Sequence, residues 1–207
     1  MDIEQSRQLE MLQDAHQQGT AFTQQYWHAF SGTDTWQFWL LLGLLVVPLL
    51  VLFMFIDRKQ AILVGFFGLN IHVWASYCDH FGVTHGYWNY PYKLMPFFPE
   101  SVPLDTALVP ITYMFIYQWT LNSNRNFYAY ALTVCALFAF VVRPTMVAFD
   151  LFVMFNDTNF VVLFMIQVIV LLVSKLITSI FLNLRHSASG IELDEIRFRW
   201  TDKRKAR

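Results

Sequence analysis

Five long apolar runs, separated by short polar stretches, fill the central part of the chain. A bilayer core is spanned by about 20 mostly apolar helical residues. The pattern therefore predicts an all-α integral membrane bundle of about five transmembrane helices, with Pro144 expected to kink the fourth, which is longer than a bilayer requires. The predicted spans cover residues 36–56, 61–80, 105–120, 127–155 and 160–184.

The segments flanking the predicted transmembrane domain, residues 36–185, differ from it in composition. Residues 1–35 are rich in glutamine and carry scattered apolar side chains, which suggests an amphipathic helix on the outer membrane surface. A partly disordered tail is the alternative. Residues 186–207 form a basic tail, in which Ile196, Phe198 and Trp200 alternate with charged residues. That period predicts an exposed strand that lies on the membrane or pairs with a partner.

The number and placement of charged residues indicate that the protein lies in a membrane and which way it is oriented there. Only 14% of the residues are charged, whereas a soluble domain has about a quarter. The net charge of −1 and the absence of a basic face argue against nucleic acid. Basic residues concentrate in the loops after the first and third predicted spans and in the C-terminal tail. This distribution predicts a multi-pass cell membrane protein with its N-terminus outside and its C-terminus cytoplasmic. Ten of the fourteen lie inside in this orientation: Arg58, Lys59, Arg125, Arg185, Arg197, Arg199, Lys203, Arg204, Lys205 and Arg207.

The most distinctive segment is the predicted outer loop, residues 81–110. It holds five of the seven prolines, which exclude a long helix and favour an ordered cap on the outer face of the bundle. Four aromatic residues stand together in this loop, and such rings commonly anchor at the membrane–water interface. They are Tyr87, Trp88, Tyr90 and Tyr92.

This loop and the following helix carry a family resemblance. The chain resembles a group of small polytopic membrane proteins from Gram-positive, often spore-forming bacteria, a family without an assigned function. The resemblance covers about residues 75–120 well and the last two helices loosely. It implies a polytopic helical fold in a bacterial cell membrane and supplies no reaction. It rests on Asp79 and Gly82, on the stretch 86–93 (GYWNYPYK), and on Pro103, Asp105, Leu108, Pro110, Tyr113, Met114, Tyr117 and Gln118.

Ionisable residues at membrane depth are candidate functional residues, because burying them in lipid is costly. His72 is expected near the midplane, where one histidine commonly donates to a neighbouring carbonyl. Asp79, Asp105, Arg143 and Asp150 are expected in one layer of the outer half, with Arg143 and Asp150 on the same helix face. We therefore expect an ion pair between Arg143 and at least one of these carboxylates. The pair either only sets the helix register or borders an outward-open pocket for an anion, a headgroup or a small ligand.

Other chemistry has weaker support. Asp79, His80 and His85 are zinc-ligating residue types, but their spacing matches no zinc motif. Cys78 and Cys135 lie in apolar runs and are interpreted as reduced core residues. The sequence predicts neither a metal nor another cofactor. Without a catalytic triad, paired glutamates or a phosphate loop, we do not expect an enzyme.

Three functions remain open. The favoured interpretation is an accessory or interaction subunit of a membrane complex, with a membrane protein partner or a second copy of the chain. The alternative is a small-ligand or ion conduit with a polar outer pocket around Arg143. A membrane enzyme acting on lipid at the outer face has support only from the residues between Asp79 and His85.

Overall fold

The computed structural model describes residues 2–98 and 101–205, and the side chains of residues 2–98 and 101–185. The described part is mostly helical, with one two-stranded sheet. The elements are α1 (Ile3–Phe30), α2 (Trp36–Phe55), α3 (Ala61–Thr84), β1 (Trp88–Asn89), a first π-helical segment (Pro103–Leu108), α4 (Val109–Ser123), α5 (Phe127–Leu137), a second π-helical segment (Phe138–Val142), α6 (Arg143–Ala148), β2 (Val153–Met154) and α7 (Phe160–Lys205).

Within the described residues, four helical stretches are long and apolar enough to cross a membrane: Trp36–Phe55, Ala61–Thr84, Phe127–Ala148 and Phe160–Arg185. Only 6% of the first is buried within the protein, and Phe53 on it is 82% exposed. A soluble monomer rarely exposes apolar surface so extensively, so these helices define a multi-pass membrane protein. Length and hydropathy thus support four spans, which leaves the predicted count of about five unconfirmed.

The core forms where α3 presents one face to α4 and α7. Val64, Phe67, Gly68 and Ile71 are all buried, and their spacing of three and four residues puts them on one stripe of the helix. Steps of four and three residues carry the same stripe up to Asp79 and Gly82, which are also buried. Asp79 therefore points into the bundle because it continues the apolar face of α3.

Two prolines are accommodated by π-helical segments. The Val109 N–H donates to the Leu104 carbonyl, five residues back, and Pro110 follows at once. The Arg143 N–H likewise donates to Phe138, and Pro144 follows. A proline ring clashes with the carbonyl four residues earlier in an α-helix, and the extra residue in a π turn relieves that clash. The irregularity expected at Pro144 thus takes the form of a π-helical turn.

The fourth predicted helix is shorter than expected. It ends at Ala148, and Asp150 adopts a left-handed φ of 55°. Residues 149–155, predicted to be helical, form a turn and β2 instead. β2 pairs antiparallel with β1, with Trp88 opposite Met154. The Phe155 N–H also donates to the Tyr87 carbonyl at 2.8 Å, so this turn and the proline-rich loop form one ordered layer, which we name the outer layer after the orientation predicted from the charges.

The flanking segments are both helical. α1 has no buried residue, and its Trp27 indole Nε1 donates to the Lys93 carbonyl of the outer layer at 2.8 Å. The strand predicted around residues 196–200 is wrong, because α7 continues through them to Lys205. A lone strand has no ladder partner there, whereas a helix satisfies its own backbone. The basic side chains predicted for this tail lie outside the described side chains.

Candidate functional site

The site is centred on a buried carboxylate in the half of the bundle next to the outer layer. Asp79 is 5% exposed. Its Oδ1 accepts two hydrogen bonds, from the Trp88 indole Nε1 at 2.8 Å and from the Tyr90 hydroxyl at 2.7 Å. Its Oδ2 is buried and receives no hydrogen bond from the described residues. The carboxylate therefore has one oxygen bound to the proline-rich loop and one buried oxygen without a hydrogen bond from the described residues.

Arg143 completes a chain of hydrogen bonds with this carboxylate. Its Nη1 donates to the Tyr90 hydroxyl at 2.8 Å, and that hydroxyl donates onward to Asp79. The guanidinium carbon lies 4.4 Å from the centroid of the Phe152 ring, a distance that allows a cation–π contact. The ion pair predicted between Arg143 and at least one of Asp79, Asp105 and Asp150 stays a prediction, and the hydrogen-bonded link from Arg143 to Asp79 runs through Tyr90.

Tyr90 can serve as this link because it keeps its proton. Burial raises the pKa of the Tyr90 phenol well above its usual value, and the nearby Arg143 guanidinium only partly counteracts this. A neutral hydroxyl accepts from the guanidinium and donates to the carboxylate at the same time. The two hydrogen bonds therefore run in one direction: Arg143 donates to Tyr90, and Tyr90 donates to Asp79.

A cavity of about 60 Å³ borders these groups. One water molecule needs roughly 10–15 Å³ of such volume, so the cavity has room for a few waters or one small ligand. Asp79, Asp105 and Arg143 lie on its wall, so the carboxylates outnumber the guanidinium there. The other polar or ionisable lining side chains are Cys78, Trp88, Tyr113 and Gln167.

His72 lies just inward of this cavity and holds the backbone beneath it. Its Nδ1 is 2.7 Å from the Asp105 carbonyl oxygen, and a carbonyl only accepts, so Nδ1 is the donor. In the π-helical register, the Asp105 carbonyl would pair with the N–H of residue 110, which is a proline and has none. His72 supplies the missing donor. The carbonyl contact expected for His72 is confirmed.

The structure brings together three of the five predicted residues. Asp79, Asp105 and Arg143 share the cavity, and His72 contacts Asp105 from below. Asp150 is separate from them, because the helix ends before it and its side chain is exposed. The expectation that it shares a helix face with Arg143 is wrong.

The residues considered for a metal do not converge. His85 is exposed, and its ring stacks on Phe81 with centroids 4.0 Å apart. His80 is also exposed, whereas Asp79 faces the core. Among the described residues, no group of three or more His, Cys, Asp or Glu side chains could hold a metal ion. Cys78 and Cys135 are free thiols.

The two groups that donate to Asp79, on Trp88 and Tyr90, were not among the residues predicted for the site. Trp88 and Tyr90 were interpreted as interfacial anchors, yet they are only 4% and 2% exposed. Their N–H and O–H groups are directed to the carboxylate. The sequence signal was short spacing: both donors follow Asp79 within eleven positions, and a glycine that can turn the chain back, Gly86, lies between the acid and the donors. In the structure Gly86 has a φ of +70°.

Comparison with protein-family models, curated proteins and solved structures found no match. The resemblance carried by residues 75–120 therefore stays a prediction.

Proposed function

We propose that this chain crosses the membrane five times, with the first π-helical segment and α4 forming a fifth span. At about 1.5 Å per residue, the 21 residues from Pro103 to Ser123 approach the roughly 30 Å of a bilayer core. Polar residues lower the hydropathy of this stretch. Such residues are tolerated at membrane depth when other helices surround them, and Tyr113, Tyr117 and Thr120 are all buried.

Contacts at the two ends of this stretch support a full crossing. Asp105 near its start borders the cavity beside the outer layer. Near its other end, Gln118 accepts from the Asp57 N–H at 2.7 Å, and the Gln60 amide donates to Asn122 at 2.6 Å. The loop after α2 therefore meets the end of α4. Five crossings put the termini on opposite sides, which agrees with the charge distribution.

Cysteine accessibility tests this topology. Single cysteines placed at Gln17, in the loop at Arg58 and at Arg125, in a chain lacking both native cysteines, are labelled in intact cells with an impermeant maleimide. We expect labelling at residue 17 and protection at 58 and 125. Labelling at residue 125 together with protection at 58 would refute the fifth span.

We further propose that the outer cavity binds a small cationic group. The observation that carries this is the buried Asp79 Oδ2, which receives no hydrogen bond from the described residues and belongs to a side chain that lines the cavity. Asp105, also on that wall, adds a second carboxylate against the single guanidinium of Arg143. An ammonium group would complement this charge and donate a hydrogen bond to Oδ2. The charge imbalance disfavours an anion.

Binding to purified protein in detergent tests the proposal. Ammonium and methylammonium chlorides are compared with N-methylglucamine chloride at equal ionic strength, by calorimetry and by thermal unfolding. A ligand at 100 times its Kd stabilises the folded state by about 2.7 kcal/mol. We expect Asp79→Asn to abolish the response and Asp150→Asn, which changes an exposed carboxylate, to leave it intact. Equal responses in both variants, or a response only to small anions, would overturn the proposal.

An accessory role in a membrane complex is the second candidate, and α1 is the observation that favours it. This 28-residue helix buries none of its side chains, and Ile3 and Leu12 are 86% and 60% exposed. Such a helix gains stability by docking on a partner or on the membrane surface. Native mass spectrometry of protein extracted mildly from its host tests this role. A stoichiometric second polypeptide, lost on deleting residues 2–30, would support it, whereas a bare monomer would oppose it.

A further inference from the structure

An apolar groove lies on the outside of the bundle next to the cavity. It encloses about 520 Å³ between α3, the start of α7 and the outer layer. Its walls are largely aromatic and aliphatic, and its outer rim carries Asn156, Asp157 and Thr158. Tyr77 and Phe81 in its wall are 65% and 55% exposed. Because both belong to a membrane-spanning helix, the groove opens sideways to the outer leaflet.

The groove and the polar cavity share a wall. Cys78, Trp88 and Ile166 line both of them. Cys78 is small and half-buried, whereas the Trp88 ring is held by its hydrogen bond to Asp79. A hydrocarbon chain in the groove would therefore be separated from the cavity that Asp79 lines by a single side chain, such as that of Cys78.

The two adjoining spaces differ in chemistry, and that difference indicates which molecule would occupy both once the Cys78 side chain between them moves aside. The groove matches a hydrocarbon chain, and the cavity has an excess of carboxylates. We propose that the protein takes an amphiphile with an ammonium headgroup from the outer leaflet, with its chain in the groove and its ammonium on Asp79 Oδ2. This inference rests on the proposed binding of cations in the cavity, and it names the class of ligand and the route of entry.

Binding of the ligand's hydrocarbon chain and binding of its headgroup can be tested separately by substituting different side chains. Val162 lines the groove but not the cavity, so Val162→Trp would fill the groove and leave the carboxylate untouched. Val161 lines neither space and is 56% exposed to lipid, so Val161→Trp is the matched control. Asp79→Asn removes the charge of the headgroup site. Cys78 serves as the reporter, because it lies between the two spaces.

The experiment follows alkylation of Cys78 by N-ethylmaleimide in nanodiscs of a zwitterionic lipid, read by peptide mass spectrometry. The probes are methylammonium, dodecylammonium and dodecanoate. We expect dodecylammonium to protect Cys78 at a concentration at least tenfold below that of methylammonium. Val162→Trp should remove this advantage of the long chain, Val161→Trp should keep it, and Asp79→Asn should end protection by both amines.

The results separate the two proposals. If methylammonium protects Cys78 through Asp79 but dodecylammonium is no better, the amphiphile is refuted while the cation site stands. Equal protection by dodecanoate would also refute it, because the charge would then play no part. Equal loss of the long-chain advantage in both tryptophan variants would show a bilayer effect and overturn the groove. If neither amine acts through Asp79, the cation site itself fails.

Discussion

Gly82 is the position where one methyl group should disturb the site most. A Cβ built on Gly82 would lie 1.9 Å from Cζ2 of Trp88 and 2.2 Å from its Cη2. Real Cβ atoms do not come so close to other atoms, and an indole ring cannot bend away. In Gly82→Ala, therefore, either Trp88 leaves its place or the end of α3 moves. Both changes stretch the hydrogen bond from Trp88 to Asp79.

The expected cost follows from overpacking. Inserting a methyl group into a packed core costs about 1–3 kcal/mol, and weakening a hydrogen bond to a buried charged group adds to this. A gain of about 0.5–1 kcal/mol from replacing glycine by alanine within a helix offsets part of it. We expect Gly82→Ala to lower the free energy of unfolding by about 1–3 kcal/mol and to change the near-ultraviolet circular dichroism of the tryptophans.

Two glycines of the same helix provide matched controls. Nothing lies within 4 Å of a Cβ at Gly65, so Gly65→Ala should be neutral or slightly stabilising. At Gly68 the clash is with Met114, whose Sδ would lie 2.3 Å away. A methionine side chain is flexible and can move, so Gly68→Ala should cost less than Gly82→Ala. Reversible unfolding in mixed detergent micelles measures all three. A Gly82→Ala protein as stable as Gly65→Ala, with unchanged dichroism, would refute the packing argument.

Three further outcomes are expected. Tyr90→Phe removes the hydroxyl between Arg143 and Asp79 and should cost about 1–3 kcal/mol in the same unfolding assay, whereas no loss would mean that the hydrogen-bond chain is not needed for stability. His72→Phe should be destabilising, but less so in a Pro110→Ala background, where the alanine N–H can replace the histidine donor; additive effects would contradict this double-mutant cycle. Trp27→Phe should speed chymotrypsin cleavage after Phe22 and Tyr26 in α1 while leaving the unfolding of the membrane bundle unchanged, and a loss of bundle stability would show that α1 is part of the core.

The spans were predictable because their signal is local. Twenty consecutive apolar residues define a membrane helix whatever surrounds them, so Trp36–Phe55 and the start of α7 were placed within one or two residues. The fourth helix was extended too far, because residues 149–155 remain apolar enough to continue it. Their backbone pairs instead with β1, a partner about 65 residues away that no local pattern reveals.

The site was predictable only in part. The cost of burying charge singled out Asp79, Asp105 and Arg143, and their depths along the helices put them in one layer. The sequence could not show that Tyr90 joins Arg143 to Asp79, since that link depends on how the proline-rich loop folds back over the bundle. Nor could it show that Asp150 falls beyond the end of its helix.

Composition and apolar run length thus determined the solvent, the helical class and most of the helix positions, because each depends on residues close together in the chain. The tertiary structure decided which oxygen of Asp79 is committed, where Trp88 packs, and that an apolar groove adjoins the polar cavity. Those features arise where α3, α7 and the outer layer meet. Their physical cause is close packing between segments distant in sequence, which a pattern along one chain does not encode.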